Sequence, residues 1–397
     1  MIEPYQLKPE IFWIGARHPE LKIFDELLPT HKGTTYNAYL VRGEDKTALI
    51  DTVKGAFTDD YLAVVDELAA AGGIDLLVVN HTEPDHSGAV ARLLERYPDL
   101  PVYCTKAAEN FLRQLLNGPF NAQTVNDGDE VDLGGRTLRF FAVPSLHWPE
   151  TMVTYLVEDQ ILFSCDAFGA HYCGDSLFHD EEDAMGEFEY YFQGIMRPFK
   201  EKIREALVKL DPLELAMICP SHGPIWRKNV RQALDAYREW CAAPPESEHS
   251  RVLLLVHSAH GNTRAMAGLM RQEMESRGLQ VVEKSIVDTS DADLRDEMEA
   301  SVALVIGIPT INRDAAPPVW HALSLLSTVT PRGRIAAVFG AFGWSGEAVR
   351  LVEERLKGLK YSLAAPGVNW RFTPTEEDRE RCRNLVEAVA HAILERG

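Results

Sequence analysis

The 397 residues are enough for two ordinary domains and more than one compact core usually holds. With 46% hydrophobic and 25% charged residues, the composition is that of a globular protein, and no apolar stretch is long enough to span a membrane. The formal net charge of −20 argues against a nucleic-acid partner, because phosphate backbones are bound through lysine and arginine.

The N-terminal residues and the cysteines indicate a location. No basic segment followed by an apolar core opens the chain, so we expect no secretory signal. The six cysteines are scattered and form no C-x-x-C pair, which is typical of reduced thiols in the cytoplasm. We therefore expect a cytoplasmic protein without a four-cysteine, rubredoxin-like iron module among these residues.

The first part of the chain mixes short strands with helices. Alternating polar and apolar residues indicate antiparallel strands at residues 36–41, 137–143, 152–157 and 161–164. Helical patterns fall at residues 59–71, 87–97 and 195–210. Together they predict an α+β sandwich.

Seven potential metal ligands follow predicted strands of this first part. Four of them come directly after the apolar run 76–79, and the other three follow later strands: His81, Glu83, Asp85, His86, His147, Asp166 and His222. Pro84 indicates a loop rather than a helix, so side-chain alternation should place the residues at 81, 83 and 85 on one face. Because the loops after strands can converge on one edge of a layered fold, we expect a metal site there.

The order H-x-E-x-D-H followed by His, Asp and His resembles the dinuclear motif of the metallo-β-lactamase superfamily. Hydrolases of that superfamily usually have a histidine where this chain has Glu83, and the flavodiiron proteins have a glutamate. Imidazole-rich sites suit zinc, whereas an added carboxylate hardens the site towards iron.

The resemblance to the flavodiiron proteins implies an αββα sandwich of the metallo-β-lactamase type that carries two irons. It assigns His81, Glu83 and His147 to one iron and Asp85, His86 and His222 to the other. Asp166 would bridge the two irons.

Three further residues are candidates for catalytic roles. His31 lies in a stretch, residues 30–37, that resembles the opening of the family's first domain, and His171 follows the proposed bridge. Tyr191, or its neighbour Tyr190, would donate a hydrogen bond to a bound oxygen species. For each of them an ordinary structural role is the alternative.

The chain changes its pattern after a polar, proline-rich segment. We interpret residues 244–250 as a linker between a domain at 1–243 and a domain at 251–397. In the second domain, apolar strands at 252–256, 281–287, 302–308 and 335–339 alternate with helical patterns. Strands that are apolar on both faces predict a doubly wound parallel α/β sheet.

Three loops at the carboxyl ends of these strands are typical of ligand binding in open α/β sheets. The first opens a helix and so offers free N–H groups to an anion, but it lacks both the Walker ending and G-x-G-x-x-G. Its candidate residues are Ser258, His260, Gly261, Asn262 and Thr263. The later loops contribute Pro309, Thr310 and Asn312, then Ala341, Phe342, Gly343, Trp344, Ser345 and Gly346.

This set of loops resembles flavodoxin, which implies bound FMN with Phe342 and Trp344 as candidates for ring contact. Plain turns are the alternative interpretation. A flavin and a diiron site on one chain predict a reductase that converts dioxygen to water, nitric oxide to nitrous oxide, or both. Reduced FMN and a diferrous pair together hold four electrons, which suits either gas.

The resemblance also implies partners. Electrons would come from a separate donor, either a rubredoxin-like protein or a reduced deazaflavin. A head-to-tail homodimer, or a dimer of dimers, would bring one subunit's flavin beside the other's irons. Two alternative functions stay open: a zinc hydrolase with a regulatory flavodoxin domain, and a non-enzymatic electron carrier or redox sensor.

Overall fold

A computed structural model describes residues 2–70, 72–180, 184–242, 250–326, 329 and 333–395. The chain forms two compact units, Met1–Ala242 and Ala243–Gly397. Residues 244–249 of the predicted linker lie outside the described residues. No helix among the described residues has both the length and the apolar character needed to cross a membrane.

The first unit contains two large β-sheets. Its strands are β1 (Tyr5–Lys8), β2 (Ile11–Trp13), β3 (Ala16–His18), β4 (Ile23–Phe24), β5 (Leu28–Pro29), β6 (Thr34–Tyr36), β7 (Tyr39–Arg42), β8 (Thr47–Ile50), β9 (Leu76–Val78), β10 (Val102–Cys104), β11 (Ala122–Thr124), β12 (Glu130–Asp132), β13 (Thr137–Ala142), β14 (Met152–Leu156), β15 (Ile161–Cys165) and β16 (Met217–Pro220). The first sheet has the order β1-β2-β7-β8-β9-β10-β11, and the second has the order β12-β13-β14-β15-β16.

Helices cover the outer faces of both sheets. They are α1 (Thr58–Ala69), α2 (Pro84–Ser87), α3 (Val90–Arg96), α4 (Lys106–Leu116), α5 (Ala184–Tyr191), α6 (Lys200–Leu210) and α7 (Val230–Trp240). Successive side chains of a strand point to opposite faces, so Leu76 and Val78 join the core between the sheets while Leu77 packs with the helices. The four layers confirm the predicted αββα sandwich of the metallo-β-lactamase type.

Several predicted elements of this unit differ in detail. The strand predicted at 36–41 is broken at Asn37, whose side chain binds the carbonyl oxygens of Pro220 and Gly223 at 2.8 and 2.9 Å instead of continuing the strand. The predicted antiparallel pairing is confirmed for β7 with β2 and β8 and for β13 with β14 and β14 with β15, whereas the strands from β8 to β11, for which no pairing was predicted, are parallel. The helix predicted at 195–210 begins only at α6, because Pro198 lies in a short 3₁₀ turn, Arg197–Phe199.

The helix predicted at 87–97 is also interrupted. The chain forms α2, then passes Gly88 and begins α3 at Val90. A Cβ atom at Gly88 would lie 2.5 Å from the backbone nitrogen of Gly55 and from the oxygen of Pro84. Glycine therefore permits the close approach that packs the ligand loop against the neighbouring turn.

The second unit is a parallel sheet with helices on both faces. Its strands are β17 (Arg251–Val256), β18 (Gln280–Ser285), β19 (Ala303–Gly307), β20 (Thr310–Ile311), β21 (Asp314–Ala315), β22 (Ile335–Phe342), β23 (Ser362–Leu363) and β24 (Val368–Arg371). Its helices are α8 (Asn262–Ser276), α9 (Asp291–Ala300), α10 (Pro317–Ser324), α11 (Ala348–Gly358) and α12 (Glu376–Leu394). The order β18-β17-β19-β22-β23, with every neighbouring pair parallel, is that of a flavodoxin-like doubly wound sheet and confirms the predicted class.

Candidate metal centre and flavin loops

The structure brings the seven predicted metal ligands together in two adjacent groups. The first group is His81, Glu83, His147 and Asp166, and the second is Asp85, His86 and His222. Within each group the potential ligand atoms all lie within 4.8 Å of one another. The residues come from the loops that follow β9, β13, β15 and β16, so the ends of strands in both sheets build the site.

The segment after β9 is not wholly the loop that Pro84 indicated. Proline occupies the first position of α2, where its missing N–H costs nothing, and Glu83 precedes the helix with extended backbone angles. In a strand, Asp85 and His86 would point to opposite faces, whereas neighbours in a helix are turned by roughly 100°. The short helix therefore explains how two consecutive residues serve the same group.

Asp166 lies between the two groups with one carboxylate oxygen facing each. Its Oδ2 atom is 3.4 Å from Nε2 of His81 and 3.5 Å from Nε2 of His147. Its Oδ1 atom is 3.1 Å from Nε2 of His86 and 3.5 Å from Nε2 of His222. This arrangement is the one that a carboxylate bridge between two metal ions requires.

Hydrogen bonds behind the histidines fix which ring nitrogen faces the site. Nδ1 of His81 is 2.7 Å from Oε1 of Glu150, and Nδ1 of His222 is 2.7 Å from the carbonyl oxygen of Thr35. Both acceptors require a proton on Nδ1, so Nε2 is the nitrogen that can offer a lone pair once a cation replaces any proton there. His86 differs, because its buried Nδ1 has no hydrogen-bond partner among the described residues.

The electrostatics of the groups favour bound cations. Burial would raise the pKa of Glu83, but hydrogen bonds from His147 and His81 hold that pKa well below its usual range. Burial would lower the pKa of His86, but the charges of Asp85 and Asp166 raise it to about 10. The pocket thus stabilises positive charge, which a divalent cation can supply in place of protons.

Asp85 supplies a further observation that the residues fit a metal. Both of its carboxylate oxygens are buried without a hydrogen bond in the described part of the chain. Nε2 of His222 nevertheless lies 3.0 Å from Oδ2, so the two groups face a common point without the geometry of a hydrogen bond. Buried carboxylates are normally paired, and coordination of a metal ion is one way to pair them.

Two of the three candidate catalytic residues lie against this centre. The Tyr191 hydroxyl donates a hydrogen bond of 3.2 Å to Oδ1 of Asp166. His171 is fully buried, with Nδ1 at 3.0 Å from the hydroxyl of Thr34 and its ring centroid 5.3 Å from that of His222. Burial, and then the neighbouring His222, lowers the pKa of His171 well below its usual range, so this imidazole is neutral.

His31 is placed differently. Its side chain is 59% exposed, its Nδ1 lies 3.3 Å from Oε1 of Glu187, and its ring packs 4.8 Å from that of Tyr190. It belongs to neither ligand group. Tyr190 therefore stands beside His31, whereas Tyr191 is the tyrosine that reaches the centre.

Sequence reasoning missed two acidic residues beside the ligands. Glu150 is buried against His81, as described above. Asp25 lies in the turn of the β4–β5 hairpin, and partial burial followed by the charges of Asp85 and Glu83 raises its pKa. The same hairpin places the ring of Phe24 4.2 Å from that of His171, so it forms one wall of the centre.

The three predicted flavin loops all follow parallel strands of the second unit and so lie at one edge of its sheet. The first loop runs from β17 to α8, where Gly261 has a φ of +85° and Thr263 is buried. The Ser258 hydroxyl accepts a 3.3 Å hydrogen bond from the Arg264 amide in the first turn of this helix. A positive φ at the start of a long helix exposes its N–H groups, as an anion site requires.

The two later loops are more ordered than predicted. Thr310 begins the short β20–β21 hairpin, which turns at Asn312 with a positive φ of 51°. Ala341 and Phe342 complete the strand β22, and the glycine loop begins only after them. Trp344 is 69% exposed, which leaves its ring available to a ligand.

Comparisons with known proteins follow this division of the chain. Residues 34–223 match the model of the ODP family beta lactamase, and residues 254–385 match the flavodoxin model. A type A flavoprotein of Rhodobacter capsulatus is 40% identical over 99% of this chain and 92% of its own length. A nitric oxide reductase of Moorella thermoacetica is 36% identical over 100% of both chains.

A solved structure resembles the whole chain. The rubredoxin oxygen:oxidoreductase of Desulfovibrio gigas is 27% identical, with a TM-score of 0.70 and coverage of 99% of both chains. The similarity therefore extends over both units of the chain.

Proposed function

The chain belongs to the type A flavoproteins, the flavodiiron family. From this premise we propose which of its residues hold the irons, which hold FMN, and which support the reduction of a diatomic gas. The protein is an oxidoreductase that reduces dioxygen, nitric oxide or both with a diiron centre and FMN. Iron held by the two ligand groups would supply the chemistry that reduces a diatomic gas, and FMN held by the flavin loops would supply the electrons.

The position of Asp166 is the observation that supports the residue assignment most strongly. One oxygen faces His81 and His147 and the other faces His86 and His222, at 3.1 to 3.5 Å. We assign Asp166 as the bridge, the first group of ligands to one iron, and the second group to the other.

Residues around the ligands bind, orient and exclude water. The Tyr191 hydroxyl keeps its proton and donates a hydrogen bond to Oδ1 of Asp166, which orients that carboxylate. Neutral His171 and the ring of Phe24 wall the second group from solvent. We propose that His171 and Tyr191 support catalysis from positions beside the metal ligands. The exposed position of His31 supports a surface role for that residue.

We expect Tyr191→Phe to slow gas reduction about tenfold, because loss of a hydrogen-bond partner behind a metal ligand typically costs 10- to 100-fold. Iron and FMN contents should stay unchanged, which metal analysis and flavin absorbance check. Tyr190→Phe is the matched control, since it removes a hydroxyl from the adjacent residue that packs on His31. Equal rates in the two variants would contradict the role of Tyr191.

The flavin loops supply the proposed FMN site. The first loop would bind the phosphate at the start of α8 through Ser258, His260, Gly261, Asn262 and Thr263. The other two would flank the isoalloxazine ring through Pro309, Thr310, Asn312, Ala341, Phe342, Gly343, Trp344, Ser345 and Gly346. The exposure of Trp344 supports this proposal, because a large aromatic ring without cover suits stacking on a flavin.

We expect Trp344→Ala to weaken FMN binding about fivefold, which corresponds to about 1 kcal/mol for a lost aromatic pair. Fluorescence titration of the apoprotein with FMN measures the dissociation constant. Leu394→Ala, which truncates another exposed apolar residue of the same unit, is the control. An unchanged dissociation constant for Trp344→Ala would show that Trp344 does not stack on the isoalloxazine ring.

We further propose a separate electron donor, a homodimer and a cytoplasmic location. The Desulfovibrio gigas relative is named for rubredoxin, which favours a rubredoxin-like donor over a reduced deazaflavin. All six cysteines are free, as expected in a reducing compartment. A head-to-tail dimer would place one subunit's flavin near the other's irons, and constant activity per subunit in a proven monomer would contradict it.

Anaerobic stopped-flow mixing tests the proposed function. The fully reduced, iron-quantified protein is mixed separately with dioxygen and with nitric oxide, and flavin absorbance is followed. Fast reoxidation by one gas supports the proposal and names the preferred substrate. Reoxidation by neither gas faster than that of free reduced flavin, with zinc as the metal found, would favour the hydrolase instead.

A further inference from the structure

Glu150 is held behind the metal centre through its Oε1 atom, while its buried Oε2 atom has no hydrogen-bond partner among the described residues. Its side chain is fully buried. Oε1 accepts hydrogen bonds from Nδ1 of His81 at 2.7 Å, from the Thr82 amide at 3.1 Å and from the Thr82 hydroxyl at 2.7 Å. Its main-chain oxygen accepts from the Thr105 hydroxyl at 2.9 Å, so the backbone at Glu150 is also held in place.

Neither histidine of the second group has an equivalent anionic partner at Nδ1 in the described part of the chain. Nδ1 of His222 meets the neutral carbonyl oxygen of Thr35, and Nδ1 of His86 has no partner in the described part of the chain. Asp51, the other buried carboxylate nearby, is bound by the backbone and side-chain nitrogens of Asn80, not by a histidine. The first ligand group therefore has a carboxylate directly behind one imidazole, and the second does not.

A carboxylate behind a ligand histidine raises the basicity of the imidazole and fixes its orientation. We propose that Glu150 is a positioning residue that locks His81 with Nε2 towards the metal and makes the first group the tighter of the two iron positions. The inference rests on the proposed diiron centre. Glu150 acts through His81 and not by contact with the gas.

Titration with ferrous iron alone tests this inference. Metal-stripped protein is titrated without oxygen against a competing chelator, and the two binding steps are resolved. Glu150→Gln keeps the shape of the side chain and an oxygen to accept the His81 hydrogen, but it removes the charge. We expect the tighter step to weaken about 10- to 100-fold and the weaker step to stay within about threefold.

Two further variants separate this role from a purely structural one. Glu109→Gln removes the charge of a buried carboxylate that pairs with Lys106 and Arg113 away from the ligands, so it should bind iron as the unaltered protein does. Glu150→Asp keeps the charge and should recover part of the lost affinity. The reduction potential of the iron centre should rise in Glu150→Gln alone, since a buried negative charge favours the more oxidised metal.

The outcomes distinguish the inference from its premise. If the unaltered protein binds fewer than two ferrous ions, the proposed centre fails. If it binds two and Glu150→Gln binds both equally well, or if Glu109→Gln weakens the tight step as much, only the role of Glu150 fails. Glu109→Gln, at a buried carboxylate that pairs with Lys106 and Arg113, is the control for loss of a buried charge.

Discussion

Asp166→Asn is expected to reduce the rate of gas reduction by more than about 100-fold, beyond the upper end of what loss of an outer hydrogen-bond partner costs. The amide keeps one oxygen that can serve one ligand group, but its NH₂ group cannot replace the other oxygen as a metal ligand. His81 and His147 face Oδ2, and His86 and His222 face Oδ1, so the substitution deprives one complete group of a ligand. Stopped-flow reoxidation of the reduced flavin measures the rate.

Composition of the Asp166→Asn protein should locate the damage. FMN occupancy should equal that of the unaltered protein, because Asp166 belongs to the first unit and the flavin loops belong to the second. Iron content should fall, which metal analysis determines. Asp180→Asn, at a carboxylate of the same unit that pairs with Arg227, is the matched control and should keep both cofactors. Rapid gas reduction by Asp166→Asn with a full iron content would show that no bridging carboxylate is needed.

The clustering of the seven candidate ligands was largely predictable from sequence because these residues carry their own signal. Four of them lie close together after one strand, and the other three follow strands that end at the same site. Histidine and carboxylate after strand ends have few reasons to cluster other than a metal. The local backbone was less predictable, because proline at 84 is compatible both with a loop and with the first turn of a helix, and the chain forms the helix.

The surroundings of the ligands were not predictable in the same way. Glu150 is one of 60 acidic residues, and only its burial against His81 distinguishes it from the others. Asp25 depends on the β4–β5 hairpin, whose two-residue strands are too short to leave a pattern. His31 shows the converse, because a stretch that resembles the family's opening says nothing about which side chains of that stretch are buried.

The fold class of the second unit was predictable from sequence, but the predicted structure of its flavin loops was imprecise. Apolar strands with helices between them identified the parallel sheet, since burial on both faces leaves a clear pattern. The β20–β21 hairpin was missed because its turn uses Asn312 and Arg313, both with positive φ, without the glycine that marks such turns. The extension of β22 to Phe342 depends on pairing with β24, which is a long-range contact.

Glu83→His is expected to change the metal that the protein selects. Oε2 of Glu83 lies 3.1 Å from Nε2 of both His81 and His147. The first ligand group has two carboxylates, that of Glu83 and that of the proposed bridge Asp166. An imidazole in its place removes one negative charge and leaves a group of three histidines and one shared carboxylate. Such a group suits zinc, whereas the added carboxylate stabilises iron and its higher oxidation state.

The experiment is to produce the variant in medium with equal iron and zinc and to determine both metals in the purified protein. We expect the zinc-to-iron ratio to rise about tenfold or more, the scale on which changes around a ligand alter metal affinity. Gas reduction should fall with the iron content, because zinc has no redox chemistry. Glu95→His, at an exposed glutamate of the same unit, controls for the added histidine. An unchanged ratio would mean that the remaining carboxylates and the shape of the pocket select iron without Glu83, and that the glutamate serves the reaction and not the choice of metal.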